Sequence, residues 1–516
     1  MLGRDRLCAV VAASTAEAMH SQLKLALRLT RTIELRLDWL ESDREIGRFV
    51  AKLKRKPKAT LIATCRRQQA GGKYAGTIAS ELFHLAEAIR AGCTWYDLEI
   101  ETVRKSPTEL IEALLGEGRQ LRSAHFFDRM PASLPRVVNE LAKGEPDAIK
   151  IAAQCDSLGQ ARQLARFAQG RRKLIAIPMG EVALPARILN LKNKNGFAYA
   201  PVEGATAPGQ TSLEDLKNLY RADRINRKTG VYGVIGDPIA HSLSPAMQNA
   251  GFAARRLKAI YLPFLVRELP DFVDSIGDLG IRGFSVTIPH KERILKFLDD
   301  VDPLAARIGA VNTVIVRSSG KLSGYNTDYV GVLRSLERRV PLRGSRVLIL
   351  GAGGSARAVA FALSERGASV CVHARRIKKA RALANVVGGE ALERSHLRGE
   401  FFDAIVNATP VGMHPHVDAS PLEANELNCR LVFDTIYRPG ETRLLELARR
   451  RGIEAVSGVD MFVSQGTAQF EIWTGRQAPR EVMRRVVLAA LAKEKRLRAV
   501  EENKKADDPT RFQNVL

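Results

Sequence analysis

Ile33-Glu34-Leu35-Arg36-Leu37-Asp38 alternates without a break: the odd positions are apolar and the even ones charged. Successive side chains of a strand point to opposite faces, so one face of this segment is oily and the other carries three ionisable groups. On a strand that looks at water this is ordinary. Here the neighbouring segments repeat it. Thr64 and Arg66 share a face, as do Asp97 and Glu99, then Ser123 and His125, and in Ala148-Ile149-Lys150-Ile151-Ala152 a lone lysine points the same way between small residues. Five segments in succession aiming ionisable groups one way fit the inside of a barrel, where such groups are paired or functional. Working outward, the short apolar runs are Leu7–Ala13, Thr32–Leu40, Ala59–Arg66, Thr94–Glu101, Gln120–Phe127, Asp147–Ala153, Lys173–Gly180 and Gly196–Val202. Amphipathic stretches such as Ala16–Leu29, Ser80–Ala91 and Leu158–Gln169 separate them. The pattern predicts a small (β/α)8 barrel over residues 1–215.

A buried lysine inside a barrel has a common chemical use. Desolvation and nearby cations such as Arg36 and Arg66 favour the free amine, which attacks a ketone to give a Schiff base. The protonated imine acidifies the adjacent carbon, and a base must stand beside it; His125 is the one histidine on these inward faces. The bland alternative for Lys150 is a structural ion pair with Glu34 or Asp38.

These segments, together with Thr64-Cys65-Arg66-Arg67, Tyr96-Asp97-Leu98-Glu99, Ser123-Ala124-His125 and Ala207-Pro208-Gly209-Gln210, resemble type I 3-dehydroquinate dehydratase over roughly residues 5–215. The resemblance implies that Lys150 forms the imine with 3-dehydroquinate, that His125 removes the C2 proton and assists the departing C1 hydroxyl, and that Glu99 holds and tunes His125. It further implies that Glu34, Arg36, Arg66, Arg187, Thr206 and Gln210 bind the substrate. Two departures stand out. The family usually has His-Asp-Phe where this chain has His125-Phe126-Phe127, with Asp128 one place later, and the usual serine before Ala-Pro-Gly-Gln is Thr206.

Polar, basic residues 211–229 read as a short helical linker (216–229 in the domain division), after which Gly230-Val231-Tyr232-Gly233-Val234-Ile235-Gly236 opens a second half. Its sharpest signal is Arg346-Val347-Leu348-Ile349-Leu350 running into Gly351-Ala352-Gly353-Gly354-Ser355-Ala356-Arg357-Ala358, a strand, a glycine-rich turn and a helix. The glycines admit a pyrophosphate to the backbone and the helix N-terminus offers free N–H groups to it. The next strand, Ser369-Val370-Cys371-Val372-His373, should end in an acid if NAD were the cofactor. No acid occurs between Glu365 and Glu390; Ala374-Arg375-Arg376 and Lys378-Lys379 stand there instead. Arginines suit a 2′-phosphate, so NADP is expected, unless these are merely solvated charges. Ser242-Leu243-Ser244, Thr287-Ile288-Pro289-His290-Lys291, Asn312-Thr313 and Asn326-Thr327-Asp328 supply hydroxyls, amides, a lysine and an aspartate suited to a polyhydroxy acid.

This set, with Asn407-Ala408-Thr409-Pro410-Val411-Gly412-Met413, Asp434-Thr435-Ile436-Tyr437 and residues 458–469, closely resembles shikimate dehydrogenase over roughly residues 230–490. The resemblance implies Lys291 and Asp328 as the catalytic pair; Ser242, Ser244, Thr287, Asn312, Tyr437 and Gln465 as substrate ligands; and Gly351, Ala352, Gly353, Gly354, Ser355 and Arg375 as cofactor ligands, with Thr409 and Met413 lining the nicotinamide pocket. A structural salt bridge is the bland reading of Lys291 and Asp328. The expected domains are 230–335 for substrate, completed by 463–490, then 336–462 for NADP in a Rossmann-type fold, and a flexible basic tail at 491–516. The product of the first resemblance, 3-dehydroshikimate, is the substrate of the second, so two consecutive steps of aromatic amino-acid synthesis are expected in one α/β chain. A quinate dehydrogenase second half, and a regulator built on inactive pathway domains, are the rival readings.

Composition bounds these readings. Hydrophobic residues make up 45% and charged residues 26% of 516, which a packed multidomain protein satisfies. Lys and Arg number 80 against 56 Asp and Glu, a net +24, but they are spread along the whole chain without basic-aromatic interleaving, so anionic metabolites rather than nucleic acid are the expected partners. Six scattered cysteines without a CxxC pair predict neither metal nor disulfide scaffold. With no apolar run of membrane-spanning length and no leader pattern, a cytoplasmic location is expected. Oligomeric state is not legible.

Overall fold

The computed structural model describes residues 5–54, 58–193, 196–204, 210–337, 339–414 and 416–506, with residues 54 and 497–506 by backbone course alone. Two compact units emerge, Met1–Val231 with Lys258–Ile281, and Tyr232–Leu257 with Arg282–Leu516. Among the described residues no helix is long and apolar enough to cross a membrane.

The first unit is built on eight parallel strands: β1 Leu7–Val11, β2 Thr32–Arg36, β3 Thr60–Thr64, β4 Trp95–Glu99, β5 Arg119–Phe126, β6 Ala148–Gln154, β7 Leu174–Met179 and β8 Ala198–Pro201. Their order in the sheet is β7-β6-β5-β4-β3-β2-β1-β8. Cys8, Ile62, Leu121 and Ile175, from β1, β3, β5 and β7, meet in one buried cluster with Trp95, Ala148 and Phe197. Side chains from every second strand converge like this when a sheet curls round into a nearly closed barrel with layered interior. The opposite parity, exemplified by Ile149, Ile151 and Ala153, packs with Leu164 and Ala186 of the surrounding helices. The alternation quoted above is therefore the inside–outside code of the barrel. Several strands stop short of the expected ends, β1 at Val11, β3 at Thr64 and β4 at Glu99, and β2 falls shortest. The second strand ends at Arg36 and continues as a turn, Leu37–Trp39, because Asp38 folds back to receive both forks of Arg36 at 2.9 and 2.8 Å and the Lys73 N–H at 3.2 Å.

Residues 211–229 are more than a solvated linker. Leu213, Leu216, Tyr220, Ala222 and Ile225 are buried around short helical turns at Asp215–Leu219 and Ala222–Arg224. The first unit also includes the helix Leu269–Leu279, whose Asp271 carboxylate accepts from the free N–H groups of Leu158 and Gly159 at 3.0 Å, capping the barrel helix Leu158–Phe167.

A six-stranded mixed sheet has the order β10-β9-β11-β13-β14-β12, with β9 Gly230–Gly236, β10 Ala259–Leu265, β11 Ile281–Val286, β12 Asp300–Val301, β13 Thr313–Val316 and β14 Leu322–Tyr325. The second unit then holds a parallel sheet ordered β17-β16-β15-β18-β19-β20, with β15 Arg346–Leu350, β16 Ser369–His373, β17 Glu390–Ala391, β18 Phe402–Asn407, β19 Cys429–Asp434 and β20 Glu454–Val456. Its order reverses between β15 and β18, and dinucleotides bind at such a switch point. The helix Arg480–Ala506 carries through most of the stretch expected to be a flexible tail; residues 507–516 lie outside the described ones.

Candidate active sites

Barrel register decides which inward groups meet. Ser123 stands opposite both Glu99 and Lys150, and His125 opposite Ala152. Glu34, Asp97, Lys150 and Tyr199 come from β2, β4, β6 and β8, the alternate set that forms one interior layer. Lys150 Nζ donates to Asp97 Oδ2 at 2.5 Å, lies 3.7 Å from Glu34 Oε1, and sits over the Tyr199 ring, 4.9 Å from its centroid. Thr64 donates to Glu34 Oε1 at 2.9 Å. Arg66 bridges Asp97 and Glu99, at 3.3 and 2.5 Å, and Glu99 Oε1 is 2.8 Å from His125 Nδ1.

The electrostatics assign states to the last three. Burial opposes the Glu99 carboxylate, but His125 and Arg66 outweigh it and hold its pKa well below the usual carboxylate range. Burial, and then the Arg66 charge, lower the His125 pKa, so this imidazole is neutral near pH 7. With Nδ1 turned to Glu99, Nε2 is its basic nitrogen. Burial also acts against the Arg66 cation, yet Glu99 and Asp97 more than restore it.

The expected ligands divide. Glu34 and Arg66 join Lys150, Glu99 and His125 in one cluster. Arg36 is tied up by Asp38, so the cation expected beside Lys150 is Arg66 alone of the two, and the carboxylate nearest the lysine is Asp97 rather than Glu34 or Asp38. Arg187 donates to Pro178 O and Gly180 O just past β7, its pKa pulled down to about 10 by burial, and with Gln210 it lines a small pocket beside Ala198 and Tyr199. Thr206 and Ala207-Pro208-Gly209 lie outside the described residues. Where the usual aspartate is missing, Phe126 packs into the helix–strand core, Phe127 stacks on His125 with centroids 5.9 Å apart, and Asp128 is exposed. Asp97 and Tyr199 were not singled out from the sequence as site residues, although both share Lys150's inward parity.

In the second unit a cavity of about 250 Å³ collects residues from eight separated stretches. Ser242, Ser244, Thr287, Asn312, Asp328, Ser355, Thr409, Met413, Tyr437 and Gln465 all line it, as the sequence predicts. Lys291 reaches it through its partners: Nζ donates to Asp328 Oδ2 at 2.6 Å and to Ser355 Oγ at 3.0 Å. Asn312 Nδ2 donates to the other Asp328 oxygen at 2.8 Å and to Thr327 Oγ1 at 3.0 Å, fixing the carboxylate. Tyr437 stacks on Phe462 at 3.8 Å; burial raises its pKa and a hydrogen bond with Ser242 partly offsets this. The floor includes Ser285, which donates to Gln469 Oε1 at 2.7 Å, a pair not expected from the sequence.

The dinucleotide loop abuts this cavity. Gly351 has φ +113°, and a Cβ there would approach Ala408 O to 3.0 Å; a Cβ on Gly354 would come within 2.9 Å of Lys291 Cβ, so the glycine lets the helix Gly354–Glu365 pack directly on that lysine. Gly353 faces open space, and no side chain caps the helix N-terminus. Arg375 is exposed past the end of β16, with no ion pair among the described residues. These features fit a pyrophosphate at the turn and a 2′-phosphate at Arg375. Among the described residues no group of three or more His, Cys, Asp or Glu could hold a metal ion.

A barrel with an enclosed Lys150–Asp97–Glu99–His125 cluster, joined to a dinucleotide-binding unit with a Lys291–Asp328 cavity, defines a two-activity α/β enzyme. Family models agree half by half: type I 3-dehydroquinase matches residues 7–227, the shikimate dehydrogenase substrate-binding domain 234–314, shikimate/quinate 5-dehydrogenase 334–424 and the shikimate 5′-dehydrogenase C-terminal domain 458–488. The bifunctional chloroplastic 3-dehydroquinate dehydratase/shikimate dehydrogenase of Arabidopsis thaliana is 34% identical over 92% of this chain and 83% of its own length. NADP(+) shikimate dehydrogenases of Bacillus cereus and Methanosarcina acetivorans are 43% and 45% identical, each over 51% of this chain and 98% of theirs. The chain belongs to the bifunctional 3-dehydroquinate dehydratase/shikimate dehydrogenase family.

Proposed function

We propose that the barrel dehydrates 3-dehydroquinate to 3-dehydroshikimate through an imine on Lys150, and that the second unit reduces this product to shikimate with NADPH. The observation that supports the first step is the separation of nucleophile from base: Lys150 on Asp97, and neutral His125 on Glu99, linked by Arg66. Lys150 attacks the C3 ketone. The resulting cationic imine withdraws electrons from C2, and His125 Nε2 takes the C2 proton. The same imidazolium, stabilised by Glu99, hands a proton to the departing C1 hydroxyl. Arg66 helps keep Glu99 ionised while the cluster changes charge.

In the second unit the bound nicotinamide supplies hydride. The Lys291 ammonium stands ready to bond the ketone oxygen, stabilise the forming alkoxide and donate the proton. Asp328 orients that ammonium, and Asn312 orients Asp328. Ser242, Ser244, Thr287, Tyr437 and Gln465 offer hydroxyl and amide contacts to the ring hydroxyls and carboxylate. Gly351, Ala352, Gly353, Gly354 and Ser355 would cradle the pyrophosphate, Arg375 the 2′-phosphate, and Thr409 with Met413 the nicotinamide.

Supplying 3-dehydroquinate and NADPH to the purified chain should yield shikimate with NADPH consumed; NADPH oxidation without shikimate, or no reaction, rejects the assignment. Comparing shikimate with NADP+ against quinate with NAD+ tests the rival dehydrogenase, which the exposed Arg375 disfavours. A cytoplasmic site of action belongs to the same reading, although the Arabidopsis relative is named chloroplastic; cell fractionation decides it.

A further inference from the structure

The layer that carries Lys150 contains a group that neither activity assigns. Glu34, Asp97 and Lys150 are its charged members, and the fourth is Tyr199 on β8. Its hydroxyl is buried and has no hydrogen-bond partner among the described residues, and Ser123 Oγ and Asp97 Oδ1 share that condition. A buried hydroxyl without a partner costs about 1–3 kcal/mol, so it is retained against the interest of stability. The ring is fixed from two sides: the Phe197 ring packs edge-on at 5.1 Å, and the Lys150 ammonium lies over it at 4.9 Å. Burial raises the phenol pKa well above its ordinary value, with the Cys8, Glu34 and Asp97 charges adding to it, which makes Tyr199 a permanently neutral donor.

We propose that Tyr199 is a catalytic residue of the barrel, its phenol donating a hydrogen bond to the substrate oxygen on the carbon that Lys150 attacks. This rests on the Schiff-base reading above. Asp97, 2.5 Å from Nζ, takes one ammonium proton and frees the nitrogen lone pair; as the Nζ–C bond then forms, the carbonyl π pair moves to oxygen and negative charge grows there. Tyr199 stabilises that oxygen and keeps its own proton. The oxygen is protonated at the expense of the lysine nitrogen, with Asp97, 2.5 Å from Nζ, positioned to relay. The nitrogen lone pair then forms C=N, the C–O bond breaks, and the oxygen leaves as water. Both hydrogens of that water come from the original ammonium, the third stays on the iminium, and charge balances without another reactant. A fixed neutral donor aimed at developing charge needs no reorganisation during the step.

Tyr199→Phe keeps the ring and its packing. The expected result is a fall of roughly 10²-fold in dehydratase kcat with little change in KM, as for other single donors to an oxyanion. The rate at which 3-dehydroquinate and borohydride give the trapped adduct should fall by the same factor. Shikimate dehydrogenase turnover on the same chain should be unchanged, and the melting temperature equal or higher, because an unpartnered hydroxyl has been removed. Dehydration within twofold of the parent overturns the proposal, as does adduct formation at the parental rate, or an activity loss accompanied by a lower melting temperature. If Lys150→Ala still traps adduct, the Schiff-base reading itself fails, a result distinct from these.

Discussion

Asp97 is the acceptor for two buried cations, Lys150 at 2.5 Å and Arg66 at 3.3 Å. Removing its charge leaves Arg66 to Glu99 alone and Lys150 to Glu34 at 3.7 Å, one anion fewer for two buried cations, and such a deficit in a barrel interior is costly. Asp97→Asn should lower stability by about 3–5 kcal/mol and depress dehydratase turnover far more than reductase turnover. Thermal melting with both activity assays checks this; a parental melting curve and parental dehydration would show that the pair is dispensable. Arg375 presents the opposite situation, an exposed cation with no protein partner among the described residues, so its loss should leave the fold alone. Arg375→Ala should weaken NADPH by roughly ten- to a hundredfold and NADH hardly at all, since only NADPH has the 2′-phosphate. Equal losses for the two cofactors, measured by titration, would refute its assignment to that phosphate.

Strand ends set the geometry of the second site. Asn407 at the end of β18 is in register with Asp434 at the end of β19, and donates to it at 3.0 Å. Asp434 also accepts from Thr442 Oγ1 at 2.7 Å and from Ile436 N at 3.0 Å, while Asn407 Oδ1 takes Thr409 Oγ1 at 2.7 Å. Two adjacent strand ends thus hold the turns that bring Thr409 and Tyr437 into the cavity. Burial pushes the Asp434 carboxyl up to about 6, these hydrogen bonds only moderating it. A carboxyl whose pKa is higher in the folded than in the unfolded chain binds its proton more tightly when folded. That stability is complete below the unfolded value of about 4 and is lost as pH rises through 6, a swing of roughly 2–3 kcal/mol. Asp434→Asn should therefore unfold at a urea midpoint less sensitive to pH between 4 and 7 than the parent's. Identical pH slopes for the two proteins would place that carboxyl near its ordinary value. At this scale the sequence was legible where period and composition agree: the inward parity of β2 to β6 and the strand–glycine–helix run at Gly351 needed no partner to be read. The Arg36–Asp38 turn was not, because the competing hydrogen bonds come from a fold-back and from Lys73, 35 residues away.

Each unit contains its own nucleophile or acid, with the partners that tune it. The barrel cluster draws on residues 34–199, and the dehydrogenase cavity on residues 234–469. Lys150→Ala should lose dehydration while keeping reduction of 3-dehydroshikimate, and Lys291→Ala should do the reverse, with a reductase loss of at least ~10²-fold. Neither variant should then convert 3-dehydroquinate to shikimate, but an equal mixture should, as 3-dehydroshikimate made by one diffuses to the other. Failure of the mixture, with both single activities intact, would mean that the intermediate never becomes free.

The sequence by itself determined the two fold classes, the division into a lysine–histidine barrel and a dinucleotide-binding half, and ten of the residues that line the second cavity. Those features are local: strand parity, helix period and a glycine turn are written within ten or so neighbouring residues. The tertiary structure decided which of several inward charges are partners. Glu34 and Asp38 were the candidates read for Lys150; strand register together with the four-residue layer selects Asp97 instead, leaves Glu34 at 3.7 Å and gives Asp38 to Arg36. It also placed Tyr199 in that layer, from a strand some 50 residues away in the chain. A pairing across the barrel depends on how far each strand is staggered against the next, and that stagger is set by the curling of the whole sheet.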